Sequence, residues 1–254
     1  MSFSRYALSV WRRNAAMYRR TWKLNILPNF FEPILYLVSI GIGVGAYVSQ
    51  MGGTSYVAFL APGLVAVAAM NGASFEDTYN AFVRMNFEKT YASMLTTPIQ
   101  PDDVLLGEVL WAITRAAIYG SIFYVVVAAA GLAPLPASLW ALPLIPLTGM
   151  LFAALGIAFS LRIPNIDLFS FYFTLFLTPL FLFSDVFFPL AERLPGWGLW
   201  VAEALPLLHP VRLMRAAFRG ELRPILLWDL TYILALSAAL LLVAARVTRR
   251  RLSE

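Results

Sequence analysis

Runs of apolar residues long enough to cross a lipid bilayer dominate this sequence. A helix needs about 20 apolar residues to span roughly 30 Å of hydrocarbon. With 60% hydrophobic and 13% charged residues, the chain has the composition of an integral membrane protein. We therefore predict an all-α polytopic membrane protein with six transmembrane helices, in a single transmembrane domain over residues 1–254. The predicted spans are residues 30–48, 56–80, 104–131, 138–161, 167–189 and 225–246.

The segment before the first predicted span is basic and amphipathic. Aromatic residues such as Tyr6 and Trp11 group near one helical face, and arginines occupy the remainder. This pattern predicts an interface helix over residues 1–24 that lies in the headgroup layer. A signal peptide is the alternative. It is disfavoured because the basic stretch is too long and the apolar run after it exceeds a normal signal core.

Charge in the short loops predicts the orientation. Basic residues precede the first span, occur in the second and fourth loops (Arg84, Lys89 and Arg162), and close the chain. The positive-inside rule therefore places both termini in the cytoplasm. The fifth loop disagrees, because it is predicted to be external and yet contains Arg193, Arg212, Arg215, Arg219 and Arg223.

The residue inventory excludes several kinds of chemistry. The chain has no cysteine and one histidine, His209, which excludes thiolate nucleophiles and multi-histidine metal clusters, so we expect no metal site. We expect His209 to be a hydrogen-bonded structural residue near the outer surface. A phosphate-binding loop needs a lysine after its glycines, and neither Lys23 nor Lys89 stands in one. The chain is therefore not an ATPase. Its arginines adjoin apolar runs, as topogenic charges do, so we expect no nucleic-acid partner.

One polar stretch, EKTYASMLTTPIQPDD, interrupts the apolar pattern between the second and third spans. It predicts a short cytoplasmic helix over residues 86–97, capped by Asn86 and ended by Pro98. Pro101 then begins the third span, with Asp102 and Asp103 in its first turn. A simple surface loop is the alternative. The predicted helix has a narrow apolar stripe, formed by Phe87, Tyr91, Met94 and Leu95.

The region around this stretch resembles the type-2 ABC exporter permeases. The matching run is FLAPGLVAVAAMNGASFEDTYNAFVRMNFEKTYASMLTTPIQPDDVLLGEVLW, with Pro62 and Gly63 early in span two, the short helix, and Leu106, Gly107 and Glu108 opening span three. In that family the short helix is the coupling helix that seats in a groove of the ATPase subunit. The resemblance assigns this role to Glu88, Lys89, Thr90, Tyr91, Met94, Leu95, Thr96, Thr97 and Pro98.

A second block, SDVFFPLAERLPGWGLWVAEALPLLHPVRLMRAAFRG, covers residues 184–220. Its prolines and glycine break the fifth span and predict an external re-entrant hairpin, with a short helix from Trp197 to Leu205 that Pro206 and Pro210 end. The hairpin resembles the external gate of these permeases, and LPLLHPVRLMR is most similar to the branch that exports lipo-oligosaccharide nodulation signals. The gate residues implied are Phe187, Phe188, Pro189, Pro195 and Gly196.

The resemblance implies how the chain would work. A separate nucleotide-binding protein would carry ATP and Mg and supply the energy, so this chain would bind no cofactor and catalyse no reaction. Six spans are half of the usual twelve, which implies a homodimer in the lipid of a bacterial inner membrane with two ATPase subunits. Alternating access would export an amphiphile such as a lipo-oligosaccharide, a lipid-linked glycan or a hydrophobic drug.

Four residues are candidates for the translocation path. Glu108 and Arg115 are seven residues apart and share a face of span three, where we expect a buried pair. Phe181 and Phe183 belong to the dense aromatic set of span five.

Two other functions compete with the exporter. An ion-coupled secondary transporter would carry ionisable groups near the bilayer midplane, whereas here they collect near the ends of the spans. A membrane enzyme would need converging catalytic side chains, for which one histidine and no cysteine are a poor basis.

Overall fold

The computed structural model describes residues 5–48, 50–51, 53–190, 194–221 and 223–253, and its secondary structure is almost entirely helical. A small antiparallel hairpin, β1 (Gln50–Met51) and β2 (Thr54–Ser55), follows the first helix. The helices are α1 (Arg5–Gly43), α2 (Tyr56–Phe75), α3 (Thr90–Leu95), α4 (Pro101–Ala129), α5 (Ala141–Ser160), α6 (Ile166–Phe183), α7 (Gly196–Glu203), α8 (Leu208–Arg219) and α9 (Ile225–Ser253).

Two of these helices contain wider, π-helical turns. α2 continues beyond Phe75 through π turns at Glu76–Asn80 and Val83–Phe87, so that helical backbone runs from Tyr56 to Phe87. α6 contains a π turn at Tyr172–Leu177. Each π turn adds a residue to the helical repeat and rotates the side chains that follow. The apolar periodicity of the sequence does not indicate such a rotation.

Five helices in the described part of the chain are long and apolar enough to cross a membrane, which confirms a polytopic all-α membrane protein. The first predicted span, residues 30–48, falls largely within α1 and remains a prediction, as does the re-entrant hairpin. The five helices are Tyr56–Phe87, Pro101–Ala129, Ala137–Ser160, Ile166–Phe183 and Ile225–Arg250.

The N-terminal segment differs from its prediction. We expected a separate interface helix over residues 1–24, but α1 runs without a break from Arg5 to Gly43. Its first part packs along α4, where a side chain on Gly107 would lie 2.5 Å from Val10 Cβ. Trp11 Nε1 also donates a hydrogen bond to Thr114 Oγ1 at 2.9 Å. These contacts hold the segment against α4, and its position in the headgroup layer remains a prediction.

α2 lies at the centre of the fold. Nearly all of its side chains are buried, and it packs against α1, α4, α5 and α8. Small residues allow this close packing, as is usual between membrane helices. A side chain on Gly72 would lie 2.6 Å from Tyr119 of α4, and one on Gly149 of α5 would lie 2.4 Å from Ala116 of α4. By contrast, α6 and α9 leave most of their surface uncovered.

The segment after α6 forms two short helices. The predicted helix from Trp197 to Leu205 is present as α7, which ends at Glu203. Pro210 was expected to help end that helix, but it lies in the first turn of α8, where proline is tolerated because the first amides of a helix need no internal partner. Gly220 ends α8 with a left-handed φ of 66°.

The packing of α4 on α5 predicts the effect of one methyl group. Gly149→Ala should destabilise the chain by about 1–3 kcal/mol, because the new Cβ would overlap Ala116 Cβ. Gly43→Ala is the matched control, since a Cβ there meets nothing within 4 Å. Unfolding of the purified variants in mixed detergent measures the difference. Equal stability of the two variants would contradict this packing.

Candidate functional site

The segment between α2 and α4 reverses the chain, and we call residues 88–100 the coupling segment. Its helix is shorter than predicted: α3 covers Thr90–Leu95 instead of residues 86–97. Asn86 does not cap α3, because it lies in the last π turn of α2 and its Nδ2 donates to the carbonyl of Phe82 at 3.2 Å. The reversal takes place at Lys89, whose φ is 53°.

The end of the coupling segment agrees with the sequence. α4 begins at Pro101, and the carboxylate of Asp103 accepts a hydrogen bond from the amide of Gln100 at 2.9 Å. This contact satisfies one of the free amides at the start of the helix. The segment is therefore fixed to the helices on both sides of it.

The nine residues assigned to ATPase coupling differ in exposure. Tyr91 is buried, and Thr90, Met94 and Leu95 are half-buried. The apolar stripe is only partly covered, because Phe87 is 65% exposed. The segment therefore presents one polar surface outward, and we call it the exposed face. Its members among the nine are Glu88, Lys89, Thr96, Thr97 and Pro98.

Charged side chains are buried directly behind the coupling segment, at the inner end of α2. Arg84 pairs with Glu76 at 2.8 Å and also with Glu108 of α4. Arg115 of α4 lies 3.4 Å from the same Glu76. We call Glu76, Asp77, Arg84, Glu108 and Arg115 the inner charge network. Buried charges are tolerated when they are paired, so these contacts hold α2 and α4 together.

Tyr91 connects the coupling segment to this network. Its side chain is 4% exposed although α3 itself lies at the surface. Burial raises the pKa of the Tyr91 phenol well above its ordinary value, the nearby carboxylate of Glu108 raises it further, and Arg84 opposes the shift. Tyr91 is therefore a neutral group inserted beside the ion pairs of α2 and α4. A displacement of α3 would act on these helices through this ring.

Two arginines from opposite ends of the chain tie the coupling segment to the terminal helices. Arg13 of α1 donates to Thr90 Oγ1 at 3.3 Å and lies 3.8 Å from Glu88. Arg249 of α9 donates from Nε to Asp102 Oδ1 at 2.8 Å, just after the segment. Both contacts are partly exposed to solvent, so each stabilises the fold only slightly.

A cavity of about 250 Å³ lies between α1, α2 and α6. Its wall is mainly apolar, and Asn71 and Thr178 supply polar groups. Phe181 contributes to the wall and packs edge to face on Tyr36 of α1, with ring centroids 5.4 Å apart. Phe187 covers Phe181 in turn, with centroids 4.7 Å apart.

The residues predicted for the gate and the path therefore separate. Phe181 and Phe187 meet at the cavity, but Phe188 packs with a different cluster around Leu190. Phe183 is 53% exposed. Glu108 and Arg115 are buried as expected, yet each pairs within the inner charge network, with Arg84 and Glu76 respectively, and neither lines the cavity.

The other residues predicted for the gate, Pro189, Pro195 and Gly196, do not line the cavity either. Pro195 and Gly196 are exposed, and Pro189 is half-buried. Residues 191–193 lie outside the described part of the chain.

A second ion-pair network joins α7, α8 and α9. His209 places Nδ1 2.7 Å from Asp229 Oδ1 and Nε2 3.0 Å from the carbonyl of Glu203. Arg212 donates to the carboxylates of both Glu203 and Asp229, and its hydrogen bonds lower the pKa of Glu203. The two carboxylates and His209 come together as metal ligands do, but Arg212 already occupies the carboxylate oxygens. His209 is hydrogen-bonded, as the sequence predicted.

Other arginines of this region are also paired. Arg215 pairs with Asp185 and lies 4.0 Å above the ring of Phe59. Arg223 lies 2.6 Å from Glu221. The positive-inside rule counts Lys and Arg and gives acidic residues little weight, so these pairs do not remove the disagreement between the arginines of this segment and its predicted external position. Arg193 lies outside the described residues.

Comparison with known proteins identifies the family. The family model described as "ABC-2 type transporter" matches residues 6–218. The chain belongs to the ABC-2 type transporter family. Nodulation protein J of Rhizobium leguminosarum bv. trifolii is 41% identical over 214 residues, which are 84% of this chain and 81% of that protein.

Two further relatives extend the comparison. Nodulation protein J of Neorhizobium galegae is 33% identical over 247 residues, which cover 97% of this chain and 94% of the relative. The inner membrane transport permease YadH of Escherichia coli (strain K12) is 26% identical over 220 residues, covering 83% and 80%. This ABC-2 chain is thus a transmembrane permease component and not an enzyme, and the ATPase is a separate protein.

The inner charge network was not predicted from the sequence. Glu108 and Arg115 were singled out, but their partners Glu76 and Arg84 were not. A signal was present, since FEDTYNAFVR places two acids and an arginine at the end of an apolar span. Charges in such a place need partners, and the ones on the next span are the nearest candidates in the chain.

Removal of one cation should show how far the ABC-2 fold depends on this network. Arg84→Gln should cost about 3–5 kcal/mol, because it leaves Glu76 and Glu108 buried without their shared partner. Arg249→Gln removes an exposed guanidinium and should change stability little. Unfolding of both purified variants in mixed detergent measures the effect. A small loss for Arg84→Gln would mean that the network does not hold α2 to α4.

Proposed function

We propose that this chain is the permease of an ATP-driven exporter and that the coupling segment receives the movement of the ATPase. The main support for this proposal is that the coupling segment has an exposed polar face on one side, while Tyr91 on the other side is buried beside the inner charge network. A surface loop without a mechanical role would have no need of a buried anchor. The ATPase carries ATP and Mg, and this chain binds no cofactor.

Movement passes from the coupling segment to the helices in two ways. Tyr91 transmits it to α2 and α4 through the inner charge network, and Arg13 transmits it to α1. Tyr36 and Phe181 lie farther along α1 and on α6, at the cavity wall. A shift of α1 and α2 relative to α6 changes the shape of this cavity, which is the basis of the proposed alternating access.

The cavity favours an amphiphilic substrate. Its aromatic and aliphatic wall suits an acyl chain, and Asn71, Thr174 and Thr178 offer hydrogen bonds to a polar headgroup. A lipo-oligosaccharide is our first choice among the three expected classes, since the nodulation proteins are 32–41% identical to this chain. A lipid-linked glycan and a hydrophobic drug are the other two. Phe181 and Phe187 form the outer wall of the path.

A homodimer in a bacterial inner membrane completes the proposal. The uncovered surfaces of α6 and α9 supply area for a second copy and for lipid. Two permease chains and two ATPase subunits then form the exporter. Both termini lie in the cytoplasm, together with the coupling segment, and α7 and α8 lie toward the outer face.

Charge reversal on the exposed face tests the ATPase contact. Lys89→Glu should reduce co-purification of the ATPase at least tenfold, because it reverses an exposed charge on the proposed contact surface, and Lys89 forms no ion pair among the described residues. Arg223→Glu is the matched control, since Arg223 is 65% exposed on the segment proposed to face outward. Pull-down from solubilised membranes measures both. Equal loss in the two variants would contradict the orientation, and no loss in either would contradict the coupling contact.

Neighbouring phenylalanines test the path. Phe187→Ala should lower export at unchanged ATPase binding, because Phe187 covers Phe181 at the cavity wall. Phe188→Ala is the control, since Phe188 packs with the separate cluster around Leu190. Uptake of substrate into inverted vesicles supplied with ATP measures both, because the cytoplasmic face of such vesicles is on the outside. If Phe188→Ala lowers export as much as Phe187→Ala does, the cavity is not the path.

A further inference from the structure

Asp77 is a buried acid that the proposed mechanism does not use. It stands in the first π turn after α2 and is 0% exposed. Both of its carboxylate oxygens are inaccessible to solvent and lack a hydrogen-bond partner in the described part of the chain. An ionised carboxylate in such a place has lost its hydration and gained no partner, which costs much free energy. A neutral carboxylic acid loses far less free energy on burial.

The charges around Asp77 do not balance if every acid is ionised. The inner charge network has three carboxyl groups and two guanidinium groups. Arg84 pairs with both Glu76 and Glu108, and Arg115 pairs with Glu76. Neither arginine is within ion-pair distance of Asp77. Three negative charges against two positive ones leave one negative charge unmatched, and Asp77 is the acid without a partner.

Among the described residues, the elements packed around Asp77 place no cation within ion-pair distance of its carboxyl group. α5 contributes Gly156, where a side chain would lie 3.3 Å from Asp77 Cβ. The carboxylates of Glu108 and Glu76 are near enough to disfavour a third negative charge. The titratable and charged groups that face Asp77 or the network are Glu76 and Arg84 of the α2 extension, Glu88 and Tyr91 of the coupling segment, Glu108, Arg115 and Tyr119 of α4, Tyr172 of α6, and Arg13 and Tyr18 of α1.

We propose that Asp77 is a proton-binding site in this conformation. The bound proton leaves two carboxylates balanced by two guanidinium groups, so that the network is neutral as a whole. Tyr91 covers the same network from the side of the coupling segment. The site thus needs no substrate and no ATPase to be occupied, and it can be tested on the purified chain alone.

Infrared spectroscopy of the full chain in lipid nanodiscs at neutral pH tests the proposal directly. A protonated carboxyl has a carbonyl band well separated from carboxylate bands. We expect such a band, and we expect it to shift when aspartate is labelled with ¹³C at its carboxyl carbon and to be lost in Asp77→Asn. Asp102→Asn, the matched control at an acid paired with Arg249, should retain it.

Three outcomes of the infrared experiment would overturn the assignment. These outcomes are the absence of the band, a shift of the band with labelled glutamate in place of labelled aspartate, and persistence of the band in Asp77→Asn. The labelling arms use the unchanged chain, so they show whether the proton lies on an aspartate even if the variant folds poorly, and loss of the band in Asp77→Asn assigns it among the six aspartates. None of them depends on export, so a failure of the proposed function would leave this result intact.

The pH dependence of stability gives a second measurement. Folding of the unchanged chain takes up a proton that the unfolded Asp77 has released, so rising pH favours unfolding. The folding equilibrium constant of the unchanged chain, divided by that of Asp77→Asn, should fall about tenfold per pH unit. This holds while Asp77 is ionised in the unfolded chain and protonated in the folded chain. Asp102→Asn should follow the unchanged chain. Parallel curves for the unchanged chain and Asp77→Asn would refute the proton site.

Discussion

The pairing of Arg84 with Glu76 and Glu108 is the interaction on which the inner end of this protein depends. An arginine buried at that depth must be matched by carboxylates, and its partners stand on two different helices. α2 and α4 are therefore fixed in one relative position. The coupling segment between them has its own position fixed by the same constraint, because Tyr91 fits into the space beside these ion pairs. The position of the coupling segment at the surface thus depends on the buried ion pairs of Arg84.

The region from α7 to α9 is held together in the same way, by ion pairs between other residues. Arg212 and His209 connect α7 and α8 to α9 through two carboxylates, and Arg215 connects α8 to the segment after α6. These pairs explain how several arginines of this segment are held within the fold. The external position of the segment remains a prediction, because the positive-inside rule counts basic residues and gives acidic residues little weight.

Much of the fold could be predicted from the sequence because membrane spans have a simple signature of length and apolarity. Five of six spans and the restart at Pro101 followed from that signature and from local helix signals. The bounds of α3 could not be predicted, because the π turns that extend α2 to Phe87 leave no periodic trace. The partners of Glu108 and Arg115, and the opposite directions of Phe187 and Phe188, required tertiary structure.

The ties from Arg13 and Arg249 give the two ends of the chain an unusual position. Arg13 and Arg249 are more than two hundred residues apart in sequence, yet the first contacts the coupling segment and the second contacts Asp102 just after it. A fluorophore or affinity tag fused beyond either of these contacts would therefore lie near the surface that we propose for docking of the ATPase. Such a fusion is a ready probe of assembly, and its linker length decides whether it reports on the complex or obstructs it.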